Sequence, residues 1–280
     1  MCLIAWAWGL HADCPLLIAS NRDEYWDRPT LPLERWHPEG DHAIYSGRDA
    51  RAGGTWLGFD ATGRVAMLTN VQQSDPVVAP RSRGELTLWW LHPAHAGWGW
   101  ETLVERCNPA DFAGFNLVMG DQRTGEWIWL SNQADTPGPE QERLCLPAGW
   151  VGARLSPGVY GVSNASLDTP WPKTVQLKNA VTEAIQTDPA QPVAVDRLLD
   201  ALQQTPDMDD ESVSDLQRQP FIHRPQARYG TRSTLIARQL RNPQGYSLNL
   251  QEWTYDPARL RQPLHHRDLS ISTWGMPTSR

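Results

Sequence analysis

Cys2 is the residue whose type and position are best suited to chemistry. Removal of the initiator methionine ahead of a small second residue leaves a cysteine that carries a thiol and a free α-amine together. A free α-amine titrates at about 7.7–8.0, close enough to neutrality to take the thiol proton. One residue then supplies both nucleophile and base, and attack of its thiolate on a carbonyl carbon is the covalent route of N-terminal-nucleophile enzymes. A cysteine in second place is common and decides little alone. The run Asn21-Arg22-Asp23-Glu24 strengthens it. An arginine beside a thiol favours the thiolate, and a carboxylate can hold an α-ammonium through charge-assisted hydrogen bonds.

Several elements must bring these groups together. Residues 2–9 and 15–20 are short, apolar and separated by a polar turn at His11 to Asp13, the pattern of a hairpin buried on both faces. The charged run stands where the second strand is expected to end, so its side chains can turn toward the start of the first. A loop rich in Arg, Asp, Pro and Trp is expected from Asn21 to about Gly54. Further hairpins are expected at Thr55–Phe59 with Arg64–Asn70 and at Phe115–Gly120 with Glu126–Ser131. Helical patterning marks Ser82–Leu91 and Trp98–Cys107, divided at His92-Pro93, and then Pro172–Thr187 and Val193–Gln203. Strands at Gly158–Asn164, Ser233–Gln239 and Tyr246–Tyr255 complete the set. Hairpins with grouped helices predict an α+β layered fold with largely antiparallel sheets. No long linker divides the chain, which predicts one domain over residues 1–280, with a loosely held tail at His265–Arg280.

Composition narrows the function. Lys and Arg total 25 against 32 Asp and Glu, a net charge of −7, and no basic stretch is interleaved with stacking aromatics, so a nucleic-acid partner is not expected. There is no Gly-rich phosphate loop. No run approaches a membrane span, and CLIAWAWGL lacks the basic flank of a secretion signal. The four cysteines show neither zinc nor disulfide spacing, which predicts reduced thiols in the cytoplasm. The 15 tryptophans can line a core or a pocket. The oligomeric state is not legible.

A set of motifs in order along the chain resembles the NRDE family, which includes the eukaryotic transport and Golgi organisation protein 2. They are Met-Cys-Leu-Ile at the start, Ala19-Ser20-Asn21-Arg22-Asp23-Glu24-Tyr25, Gly47-Arg48-Asp49, Ala52-Gly53-Gly54-Thr55-Trp56 and Leu68-Thr69-Asn70-Val71. Gly114-Phe115-Asn116-Leu117, Tyr160-Gly161-Val162-Ser163-Asn164-Ala165, Leu167 through Lys173 and Tyr229-Gly230-Thr231-Arg232-Ser233-Thr234 continue the match. The family is in turn similar to bile-salt hydrolases and penicillin V acylases of the four-layer αββα N-terminal-nucleophile fold. The resemblance implies Cys2 as nucleophile, Arg22 with Asp23 as its activators, Asn164 as oxyanion donor and Arg232 closing the site. Asn70 is a second oxyanion candidate, and Asn21 and Glu24 are secondary ones. Those acylases space arginine and aspartate as Arg-Asn-x-Asp, whereas Asp23 and Glu24 follow Arg22 directly, so either acid can face Cys2. The implied activity is hydrolysis of a small, non-peptide carbon–nitrogen substrate, which needs no cofactor.

The alternative is a haem carrier using the same cleft, since family members have been linked to haem trafficking. His92 and His95, beside Trp89, Trp90, Trp98 and Trp100, offer an axial nitrogen and aromatic walls, and Cys14-Pro15 offers a thiolate. No Cys-x-x-Cys-His attachment motif is present. Surface histidines and core tryptophans around a helix break explain the same grouping more simply, and His265-His266 is expected in solvent.

Overall fold

The computed structural model describes residues 2–38, 40, 42–72, 78–95, 97–133, 142–205, 214–256, 261–272 and 274. Its first strand, β1 (Cys2–Trp8), is buried along its whole length, as the apolar run requires. β2 (Leu16–Tyr25) pairs with it antiparallel and sets Cys2 directly opposite Arg22. The charged run therefore lies within the strand and not in a loop beyond it. The expected loop to Gly54 also contains two strands, β3 (Thr30–Trp36) and β4 (Ile44–Asp49). β3 is a sheet edge, where Pro32 removes no ladder hydrogen bond that the sheet needs, so its proline hid it.

β5 (Leu57–Asp60) and β6 (Arg64–Asn70) form the expected hairpin, and α1 (Gly84–Leu91) and α2 (Trp100–Arg106) fall inside the expected helical stretches. β7 (Phe115–Asp121) and β8 (Glu126–Ser131) follow as expected, with β9 (Val151–Arg154) added beside them. β10 (Gly158–Val162), α3 (Pro172–Gln186) and α4 (Pro192–Gln203) also stand where the patterning put them. α5 (Asp215–Arg218) and β11 (His223–Arg224) are short additions before β12 (Tyr229–Asn242) and β13 (Gly245–Tyr255).

The loosely held tail is overturned for its described residues. β14 (Pro263–Ile271) pairs antiparallel with β13, so His265 and His266 are strand residues. Most of its side chains are exposed, so no hydrophobic alternation marks it in the sequence. Trp274 is fully buried, donates its indole N–H to the Asp60 carbonyl at 2.7 Å and packs edge-on to Phe59. Residues 273 and 275–280 lie outside the described residues.

The strands form two antiparallel sheets, one ordered β10-β1-β2-β12-β13-β14 with β11 on β12, the other running in sequence from β3 to β9. The fold class is α+β with antiparallel sheets. The chain gathers into two units, neither of them a continuous stretch. One comprises Met1–Arg28, Pro157–Ser163 and Asp168–Thr273; the other comprises Pro29–Ser156, Asn164–Leu167 and Trp274–Arg280.

In the first unit, α3 lays Leu177, Val181, Ala184 and Ile185, and α4 lays Leu198 and Leu202, on Leu3, Ala5, Leu17 and Ala19. Helical spacing thus meets strand alternation on one face. Gly161 lets α3 approach, since a Cβ there would stand 2.7 Å from the Thr174 methyl. In the second unit, Leu86 and Trp90 of α1 and Leu103 of α2 pack on Ala66, Leu68, Leu117 and Leu130. Each fully buried leucine of these layers is worth about 1.5–3 kcal/mol. The start of α1 presses on Gly54, whose Cβ would lie 2.6 Å from the Gly84 carbonyl carbon, and Gly53 takes a φ of 77°, so the pair serves the backbone. Among the described residues no helix is long and apolar enough to cross a membrane.

Asp60 gives this fold a pH dependence of definite sign. Burial alone would raise its carboxyl, but the His42 ring, the Thr62 hydroxyl and the N–H groups of Arg64 and Thr62 outweigh burial and hold it below its ordinary 3.8. A carboxyl depressed in the folded state contributes fully above 3.8 and loses that contribution as pH falls through its folded value. Urea unfolding followed from about pH 6 down to about pH 2 should therefore show Asp60→Asn losing less stability than the unmodified chain. Parallel losses would refute the assignment.

Candidate functional site

Alternation along β1 and β2 sorts the site residues by face. Leu3, Ala5, Leu17 and Ala19 face the helices, so Cys2 and its partner Arg22 share the opposite face. Cys2 is 7% exposed and Arg22 4%. The Arg22 guanidinium lies 3.9 Å from the Glu24 carboxylate, which also lies 3.8 Å from Arg28. Burial pushes the Cys2 thiol up; the positive chain start and Arg22 pull it down, while Asp23 and Glu24 add to the rise. The net direction is upward. The expectation that Arg22 favours the thiolate is correct in sign but outweighed, so the thiol keeps its proton until a base removes it. Ser163 donates its hydroxyl to the Cys2 carbonyl at 2.9 Å and fixes the start of the strand.

Asp23, one residue on from Arg22, alternates to the helix side and is 1% exposed. Its Oδ1 accepts the Thr231 hydroxyl at 2.6 Å, and Thr231 in turn accepts the Ile222 N–H at 2.9 Å. Burial raises this carboxyl, opposed by the charge of the chain start, Lys173, the Thr231 hydrogen bond and Arg22. Glu24 accompanies Arg22 on the thiol face and Asp23 turns to the helix side, yet Asp23 raises the Cys2 thiol more than Glu24 does.

Lys173, Tyr229 and Thr231 complete this group and had no assigned role. Each lies inside a motif stretch quoted above. Lys173 is buried, and burial pushes its ammonium down while Asp23 and Cys2 pull it up. The Tyr229 phenol is pushed up by burial and by Asp23, Cys2 and Glu24, so it stays neutral. A buried lysine straight after Pro-Trp-Pro was the one signal that sequence reading passed over.

Of the remaining expected residues, Arg232 stands at the bulge of β12 between the partners of Asp23 and Arg22, with Arg22 and Glu24 among the charges that act on it. Arg232 belongs to the first unit, where its guanidinium donates to the carbonyls of Tyr25, Trp26 and Arg28 at 3.0, 3.1 and 3.3 Å. It grips the turn after β2. Asn21 is a framework residue, with its amide donating to the Leu202 and Pro220 carbonyls among the helices. Asn164 and Asn70 are brought together in the second unit, where the Asn164 amide donates to the Asn70 carbonyl at 2.9 Å. Asn116 secures that segment by donating to the Ala165 carbonyl at 2.8 Å while accepting the Trp129 indole.

The histidine cluster is closed on itself. The His95 ring stacks on Trp98 at 4.2 Å and lies 4.7 Å from Trp89, whose carbonyl its Nδ1 meets at 2.8 Å. Trp90 and Trp100 belong to the core. The aromatic faces expected to hold a flat ligand are thus filled by an imidazole. The Cys14 thiol is fully buried, and burial pushes it up to about 12, which does not suit an iron-binding thiolate. These residues do not fit a haem.

The family model described as Transport and Golgi organisation 2 matches residues 1–255. The mouse Transport and Golgi organization 2 homolog is 32% identical over 236 residues, covering 79% of this chain and 80% of its own. The human homolog is 32% identical over 238 residues, with the same shares. Among solved structures, a variant of conjugated bile acid hydrolase from Clostridium perfringens aligns with a TM-score of 0.46 at 9% identity, over 96% of this chain and 92% of that one. A Caenorhabditis elegans N-acylethanolamine-hydrolyzing acid amidase ortholog aligns at 0.40 and 8%, over 84% and 91%.

Proposed function

Because the chain belongs to the Transport and Golgi organisation 2 family, whose name specifies no reaction, we propose its function from its own site: a cysteine hydrolase of the N-terminal-nucleophile type acting on a small, non-peptide amide. The observation that carries this reading is Cys2 at the head of a buried interior strand, directly opposite Arg22, with Asp23 buried one residue further along β2. No stability argument calls for that concentration of buried charge.

Cleavage of the peptide bond ahead of Cys2 frees its α-amine. The amine takes the thiol proton, and the thiolate attacks the amide carbon. The ammonium then returns that proton to the leaving nitrogen as the C–N bond breaks, leaving a thioester on Sγ. Water, deprotonated by the same amine, attacks the thioester, releases the acid and restores the thiol. For the oxyanion we take Asn164, with Asn70 second, on the family resemblance and on an amide already held in place. Arg232 positions the turn beside Glu24. Four free thiols suit a reducing, cytoplasmic setting, which belongs to the same proposal.

The test is an intact-mass measurement on protein confirmed to start at Cys2, before and after exposure to p-nitrophenyl acetate. One hydroxylamine-labile acetyl group on the N-terminal peptide is expected, and none on protein that retains Met1. No adduct on the processed protein would overturn the reading. A Soret band on haem titration that survives Cys2→Ser would favour a carrier instead.

A further inference from the structure

Resting on the reading of Cys2 as an N-terminal nucleophile, we propose that the edge of β2 just past the level of Cys2 is an acyl-chain subsite, where the Tyr25 N–H receives the carbonyl of a second amide group in the substrate. The substrate class narrows accordingly, to an amide whose acyl chain is extended and itself carries an amide. Register places the subsite. Cys2 stands opposite Arg22, and β2 runs on through Asp23, Glu24 and Tyr25, which pair with Thr231, Gly230 and Tyr229 of β12. Among the described residues β2 has only β1 and β12 as neighbours. In a chain that starts at Cys2, β1 has no residue to set beside Glu24 and Tyr25, so a ligand in line with β1 meets a strand edge there, the usual mode of capture for an extended amide chain.

Backbone alternation turns the required donor that way. Trp26 donates its N–H to the Arg228 carbonyl at 2.7 Å, on the β12 side, so the Tyr25 N–H points away from β12 and into the line of β1. Thr231, opposite Asp23, agrees, since it sends its N–H away from β2 to the Ile222 carbonyl at 2.8 Å. The Tyr25 N–H meets the Glu24 carboxylate at 2.8 Å, a charged guard on a strand edge. This guard can move. Glu24 is 22% exposed, and its carboxylate lies 3.9 Å from Arg22 and 3.8 Å from Arg28, which can take it up when a ligand carbonyl replaces it. The Tyr25 carbonyl is held by Arg232 at 3.0 Å, so at this residue the edge offers a donor. Three strand residues from Arg22 to Tyr25 span about 10 Å. That suits a carbonyl two residue-lengths behind the scissile carbon, about 7 Å, with the bond to Sγ making up the rest. The acyl side is assigned to the edge because it stays on Sγ through both steps, whereas the amine leaves after the first. The Tyr25 N–H keeps its proton throughout.

The experiment compares acylation of protein starting at Cys2 by p-nitrophenyl N-acetylglycylglycinate and by p-nitrophenyl octanoate, whose chains are equally long, each rate divided by that with free cysteine. The unmodified chain should prefer the amide-bearing ester by about fivefold, the worth of one hydrogen bond. Tyr25→Phe keeps the N–H and should keep the preference. Tyr25→Pro removes the N–H at an edge position, where proline is tolerated, and should bring the preference close to unity. A preference that survives in a folded Tyr25→Pro, or is lost in Tyr25→Phe, overturns the proposal. If Tyr25→Pro does not fold, the Tyr25 amide signal of Cys2→Ala protein decides by ¹⁵N NMR: a shift on titration with N-acetylglycylglycinamide supports the subsite, and an unmoved signal refutes it. Acylation by neither ester overturns the reading of Cys2 and the subsite with it, whereas equal corrected rates for both overturn the subsite alone.

Discussion

Cys2→Ala should reduce acylation by p-nitrophenyl acetate to background, a fall of about a thousandfold or more, because the variant lacks the atom that forms the covalent bond. The fold should survive. Cys2 is buried, but the change removes one sulfur, at a cost of about 1–2 kcal/mol in a urea titration. Cys2→Ser should acylate slowly, since an alcohol is far harder than a thiol for a nearby amine to deprotonate. Rates and unfolding must be read together, because a buried strand start that unravels would also lose activity. Acylation that persists in a folded Cys2→Ala would point to another thiol, and Cys145 is exposed. Peptide mapping of the labelled protein distinguishes the two.

Trp274→Ala should cost about 3–5 kcal/mol, the largest stability effect expected of a single substitution outside the site. The ring is fully buried, its N–H is bonded to the Asp60 carbonyl, and Phe59 packs on it. Truncation leaves both a cavity and a carbonyl short of a donor. The urea midpoint of the variant should drop sharply at unchanged slope. A loss below about 1 kcal/mol would mean that the residues around Asp60 close over the gap, contrary to close packing in such cores. Trp274→Phe should recover most of the packing but not the hydrogen bond.

The sequence made Cys2 and Arg22 legible as partners because an antiparallel hairpin with a known turn fixes which residues stand opposite. It did not show that Asn21 to Glu24 belong to a strand, because charge normally marks solvent and here it is buried. The same rule hid β14, whose side chains are exposed and whose order comes from backbone pairing with β13. Asn70 and Asn164 were named separately as oxyanion candidates, and the hydrogen bond between them lies beyond any local pattern, at a separation of 94 residues. Lys173 was visible as a letter in a motif, yet its burial follows from the packing of α3 on β1 and β2, which no local pattern shows. Local periodicity reads elements well; electrostatic partners across elements leave no periodic trace.

Strand order has a consequence for synthesis. β1 lies between β2 and β10, and β2 lies between β1 and β12, so the first hairpin translated waits for residues 158 and 229 before either outer side is covered. At the usual pace of elongation, the ribosome takes roughly ten seconds or more to deliver the first of them. During that interval both edges of the first hairpin are bare strand, open to pairing with another chain.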